Sequence, residues 1–120
     1  MNKFMISLMV IGLTSACTNK NIEEDFPNCD TNSMRFSVEI AEVFDSNCFG
    51  CHDAQRNPSS GAGIDLSDYS TVKTYVENGR LLGTIEQNDA FSAMPKGAGR
   101  ISQCSIDKIK SWINEGVQNN

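Results

Sequence analysis

Apolar residues recur at helical spacing in several separated stretches. Ile40, Val43, Phe44 and Cys48 fall at i, i+3, i+4 and i+8 and mark one face of a helix. Ser37 is the expected N-cap of that helix, with Phe36 just before it, and the helix should run to about Asn47. A second helix is predicted from Thr71, capped by Ser70, to about Asn78, where Gly79 ends it. A short third covers Arg80 to Glu86. The last runs from Ile106, capped by Ser105, to Glu115 and stops at Gly116, with Ile106, Ile109, Trp112 and Ile113 on its inner face. Residues 53–67 hold Pro58, Ser59, Ser60, Gly61 and Gly63 and read as loop, as do residues 88–100 with Pro95, Gly97 and Gly99. No period-two strand pattern appears, so the expected class is all-α, with about four to five helices.

The N-terminal pattern differs. Asn2 and Lys3 precede an apolar run from Phe4 to Leu13, and Thr14-Ser15-Ala16 is a small-residue stretch ending at Cys17. Such a run is too short to span a bilayer as a stable helix and reads as an export signal over residues 1–16. Small residues before a cysteine resemble a lipoprotein processing site, with the lipid on Cys17, although Leu13 lies four residues before the cysteine where three is usual. The alternative is ordinary cleavage after Ala16, with Cys17 a spare thiol. Residues 17–33 are polar, with Glu23, Glu24 and Asp25 in a row, and read as a tether to a domain over residues 34–120. The chain then faces the periplasm or the cell exterior.

Charge narrows the partners. The formal net charge is −5, and loss of Lys3 with the signal makes it −6. An acidic chain of this kind is a poor candidate for nucleic acid. Without a polybasic stretch, membrane association should come only through a lipid anchor.

One pentapeptide carries the chemistry: Cys48-Phe49-Gly50-Cys51-His52. It reads as the covalent attachment site of one c-type haem. Two thiols about one helical turn apart can add to the two vinyl groups of a porphyrin. His52, the only histidine of the chain, can then ligate the iron. A zinc site would need a second Cys or His pair at ligand spacing. A thioredoxin-like pair sits in a βαβ context, and a plain disulfide leaves His52 unexplained. Five cysteines are present. With Cys17, Cys48 and Cys51 assigned, Cys29 and Cys104 remain and bracket the domain, either as a disulfide or as two buried free thiols.

Met94, in Ala93-Met94-Pro95-Lys96-Gly97, is the candidate second axial ligand, a soft thioether on a loop. The alternative is a hydrophobic plug over an open haem face. Met34 reads as a packing residue. Ile64 and Leu66 are candidates to pack on the porphyrin. Tyr69, Arg80 and Trp112 are candidates near its propionates.

The stretch from Phe36 to Val117 resembles a class I cytochrome c, and more closely the small monohaem domains called planctomycete-type cytochrome c. The matching pieces are the entry helix, the haem motif, Gly63-Ile64-Asp65-Leu66, Met94-Pro95 and the closing Ile109-Lys110-Ser111-Trp112-Ile113-Asn114-Glu115-Gly116. The resemblance implies that first and last helices cross, that one haem is wrapped by the fold, and that His52 and Met94 ligate its opposite faces. It implies an electron carrier between protein redox partners, not an enzyme. Two rivals stand beside it: a haem-binding sensor or redox enzyme with a labile Met94 ligand, and a non-catalytic accessory domain of a larger exported complex. The acidic residues from Asp65 to Asp68 read as solvated surface.

Overall fold

The first helix opens where Glu39 reaches back. A computed structural model describes residues 28–120, and the regular structure among them is all helical. The expectations for residues 1–16, for Cys17 and for most of the tether lie outside the described residues. A π-helical turn, Phe36–Ile40, runs straight into α1, Ala41–Asn47. Ser37 does not cap it. The N-cap is Arg35, whose backbone N–H donates to the Glu39 carboxylate at 2.9 Å. The Arg35 guanidinium also bonds that carboxylate, at 2.7 and 3.1 Å, so Glu39 satisfies the N–H of the N-cap residue while no side chain caps the first-turn N–H groups.

Cys48 breaks the helix with φ −125°, and α2, Phe49–His52, forms one further turn. The Cys48–His52 motif therefore occupies a turn of its own after α1. The segment expected as loop contains another turn, α3, Asn57–Ser60. Pro58 is tolerated there because a first-turn N–H has no helical partner to lose.

α4 spans Tyr69–Glu77 and starts earlier than the pattern suggested. Its N-cap is Asp68, not Ser70. The Asp68 carboxylate accepts from the Thr71 N–H and hydroxyl, both at 2.8 Å. These bonds hold its carboxyl below the ordinary 3.8. Asp68 is thus a structural acid rather than mere solvated surface. Its capping contribution is full above the unfolded value and is lost as pH falls through the lowered folded one. Asp68→Ala should accordingly lower the melting temperature at neutral pH, with the gap to wild type closing below about pH 3.8; thermal unfolding at both pH values checks it.

Gly79, at φ +74°, joins α4 to α5, Arg80–Ile85. Residues 88–100 carry no regular helix. α6 spans Gln103–Asn114 and is capped by Ser102, whose hydroxyl accepts from the Ser105 N–H at 3.1 Å. Ser105 is inside the helix, one turn beyond the cap.

The core is built by Met34, Ile40, Val43, Phe44, Leu66, Val72, Leu81, Ile85, Ile101, Ile106, Ile109 and Trp112. The two ends of the domain meet in it. Phe36 stacks on Trp112 at 5.6 Å and meets Tyr69 edge-on at 5.2 Å. The C-terminal strap closes the junction: Trp112 Nε1 donates to the Gln118 carbonyl, and the Ser37 N–H donates to the Asn120 carbonyl, both at 2.9 Å. Cys29 and Cys104 are joined by a disulfide that fastens the N-terminal arm to the first turn of α6. The Ser111 hydroxyl then donates to the Thr31 carbonyl at 2.6 Å, and buried Met34 donates its N–H to Glu115 at 3.1 Å.

Candidate functional site

The break at Cys48 sets the two motif thiols in different surroundings. Cys48 is half-buried beside the core, and burial pushes its thiol up to about 11. Cys51 is exposed. Both are free thiols on one turn, with the Cys51 and His52 N–H groups bonded to the Cys48 carbonyl at 3.0 and 2.9 Å. Arg56 closes the end of that turn. Its guanidinium donates to the Phe49 carbonyl at 3.0 Å and pairs with Asp53.

The turn after α3 then fixes the imidazole. At Gly61 any Cβ would collide with the Cys51 carbonyl and the Asn57 backbone, so only glycine allows this approach. Gly63 follows at φ +76° and turns the chain toward His52. The Ile64 carbonyl thereby lies 3.1 Å from His52 Nδ1. A carbonyl can only accept, so Nδ1 is the donor of this bond and Nε2 is the ring nitrogen left to a ligand. The Leu66 N–H donates to the His52 carbonyl at 2.8 Å and fixes the same residue from its backbone. An imidazole held this way is oriented as metal ligands are.

Met94 comes to the same place from the other side of the sequence. Its N–H donates to the Thr84 carbonyl at 3.0 Å, and the Asn88 N–H donates to the Gly83 carbonyl at 2.9 Å. Gly83 is buried against the ring of Phe91 and has no room for a Cβ. The loop can therefore lie flat on α5 and carry Met94 inward.

These elements enclose a cavity of about 190 Å³ lined by His52, Ile64, Leu66, Tyr75, Arg80, Thr84, Ala90, Phe91, Ser92 and Met94. It brings together both candidate iron ligands, both candidate packing residues and Arg80. Cys48 and Cys51 are not on its wall. Tyr69 and Trp112 lie elsewhere. The Tyr69 hydroxyl donates to the Val117 carbonyl at 2.7 Å, and Trp112 is fully buried with its N–H committed to Gln118. Both serve the helix junction. Tyr75, Thr84 and Phe91 were not singled out by sequence. Arg80 and Thr84 stand four apart on α5, on the face next to the buried pair Leu81 and Ile85, and that spacing is the signal the sequence offers.

The donor chemistry fits a haem: an imidazole whose Nε2 is left to a ligand, a thioether on the same cavity, apolar walls and two thiols one turn apart. Arg80, whose guanidinium lies 5.6 Å from the Tyr75 ring centre, brings the only fixed charge. The volume is below the about 300–1,000 Å³ of clefts that enclose small ligands, so a porphyrin would fit only with part of its edge outside the enclosed space. Among the described residues, no three His, Cys, Asp or Glu side chains converge to hold a bare metal ion. A larger polar hollow of about 590 Å³, between Met34, Arg35, Glu39 and Glu115, has neither thiols nor histidine.

No family model, curated protein or solved structure matches this chain.

Proposed function

We propose that the protein is a monohaem c-type cytochrome that carries single electrons between protein redox partners outside the cytoplasmic membrane. The observation behind it is that His52 and Met94, distant in sequence, line one cavity, with the free thiols Cys48 and Cys51 on the turn that ends in His52. When bound, the haem supplies the iron that gains and loses the electron. Cys48 and Cys51 would hold it by thioether bonds. The Ile64 carbonyl accepts from His52 Nδ1, so Nε2 would be the ligand atom. Met94 would offer its sulfur from the loop after α5, and Ile64, Leu66 and Phe91 line the same cavity as apolar walls. A signal at residues 1–16 and a lipid on Cys17 would place this domain on a membrane surface; the intact mass of the mature chain reports both.

Covalent attachment is checked directly. Acid–acetone extraction of the purified protein should leave the haem on the chain, and the pyridine haemochrome spectrum should be of the c type. Haem that extracts freely would refute attachment at Cys48 and Cys51.

A second reading keeps the haem but makes Met94 labile, as in a sensor or an accessory domain. It is favoured by the setting of Met94, which is only half-buried on a loop without regular structure. Carbon monoxide separates the two: a carrier with a firm Met94 ligand resists it, whereas a labile site binds it and shifts its spectrum.

A further inference from the structure

Among the described residues, Asn57 is the only buried one with a polar side chain. Burying an amide costs free energy unless its groups are bonded, so its bonds show what it is there to hold. Asn57 opens α3, just before Pro58. Its side-chain amide donates to the Asp53 carbonyl at 2.7 Å, and its backbone N–H donates to the same carbonyl at 2.9 Å. Asp53 directly follows His52. One side of Asn57 is thus fastened to the turn that carries the imidazole.

The other side holds the segment that meets that imidazole. The Asn57 carbonyl accepts from the Gly61 N–H at 3.1 Å and from the Gly63 N–H at 2.9 Å. The Gly61 carbonyl accepts from the Ile64 N–H at 3.0 Å. Ile64 in turn offers the carbonyl that lies 3.1 Å from His52 Nδ1. The bonds form a closed circuit: His52 to Asp53 along the chain, Asp53 to Asn57, Asn57 to Gly61 and Gly63, and Ile64 back to the imidazole. The Leu66 N–H, on the His52 carbonyl at 2.8 Å, closes it a second time. Gly61 also packs so tightly on Asn57 that a Cβ there would lie 2.8 Å from the Asn57 Cα.

We propose that Asn57 is the positioning residue for His52: bonded to Asp53 on one side and to Gly61 and Gly63 on the other, it holds the Ile64 carbonyl against Nδ1. This rests on the carrier reading for its consequence at the iron, while the bonding itself is tested without it. A carbonyl on Nδ1 makes the other ring nitrogen a stronger donor. A stronger donor favours ferric iron, so loosening the bond raises the reduction potential, opposite in sign to loss of the Met94 sulfur.

The test has two arms on the full chain. Asn57→Ala removes the amide donor, and Asn57→Asp replaces it at nearly the same size with a carboxylate that only accepts. Asn57→Ser restores a donor, because a serine hydroxyl in a helical turn can bond the carbonyl four residues back, as Ser60 bonds Arg56 in this same turn. The Ala and Asp variants should raise the potential, and the Ser variant should stay near wild type. None should bind carbon monoxide better than wild type does, because the Met94 loop is untouched. Met34→Ala, a core truncation, should leave the potential alone. A potential that holds or falls in Asn57→Ala, new carbon monoxide binding, or an equal shift in Asn57→Ser or Met34→Ala would overturn the proposal. The second arm is hydrogen exchange and needs no haem. The Gly61, Gly63 and Leu66 amides should be protected in wild type, and Asn57→Ala should speed their exchange about tenfold or more relative to the amides of α6. Unprotected amides in wild type, or an equal rise across α6, would also overturn it. If the Ala and Asp variants do not fold, wild-type protection and the potential of Asn57→Ser decide. Absence of a haem spectrum refutes the carrier reading alone, and exchange still decides the role of Asn57.

Discussion

Met94→Ala should open the sixth position of the iron while leaving the haem attached. The Met94 backbone is held to Thr84 through its N–H, which alanine retains, so the loop should stay on α5 and only the sulfur be lost. A neutral, soft thioether favours ferrous over ferric iron. Its removal should lower the reduction potential by about 0.1 V or more, within the roughly 0.8 V that axial ligation spans. Oxidised wild type should show the weak charge-transfer band at the red end of the visible spectrum that marks methionine–iron ligation. Met94→Ala should lose that band and bind carbon monoxide. Met34→Ala is the control. Met34 is 3% exposed and packs in the core, so its truncation should cost about 2–5 kcal/mol of stability and leave spectrum and potential alone. A band missing from wild type, or persisting in Met94→Ala, removes Met94 as the ligand and turns the reading to an open-site haem protein.

Cys29→Ser should lower stability by about 4 kcal/mol without releasing the haem. The disulfide spans 75 residues, with Cα atoms 5.6 Å apart, and nearly the whole domain lies inside the loop it closes. Cutting it restores chain entropy to the unfolded state. It also frees the arm that carries Thr31 and Met34 onto α6. Cys104→Ser should match Cys29→Ser, and the double substitution should cost little more than either, because both remove one bond. Urea unfolding of the three variants gives the values. Fully additive losses would mean that the two cysteines contribute separately rather than through their bond.

The cap corrections share a physical origin. Ser37, Ser70 and Ser105 are all hydroxyl residues at good sites, and each lost to a neighbour with a better-placed acceptor. Glu39 reaches back to Arg35, Asp68 accepts from Thr71, and Ser102 accepts from Ser105. At α4 the carboxylate of Asp68 wins because it accepts charge-assisted bonds, whereas at α6 the winner, Ser102, is itself a hydroxyl one turn earlier. Local sequence lists the competing acceptors without saying which geometry is realised.

The all-α class, the apolar faces of α1 and α6 and the burial of Met34 were legible because helical periodicity is written in nearest neighbours along the chain. Cys48, Cys51, His52 and Met94 could be named as candidate donors, since residue types and spacing suffice for that. That His52 and Met94 share a site was implied by the resemblance alone, not by their residue types or spacing. The convergence of His52 and Met94 depends on two glycines that matter only in three dimensions. Gly61 admits the Cys51 carbonyl, and Gly83 admits the ring of Phe91. Tyr69 and Tyr75 make the same point. They lie on one short helix, and sequence offered the first for the haem. Packing gave Tyr69 to Phe36 and Val117 and turned Tyr75 to the cavity. The chain fixes which groups can donate and accept; which of them meet depends on contacts between residues far apart in sequence, settled only when the core closes.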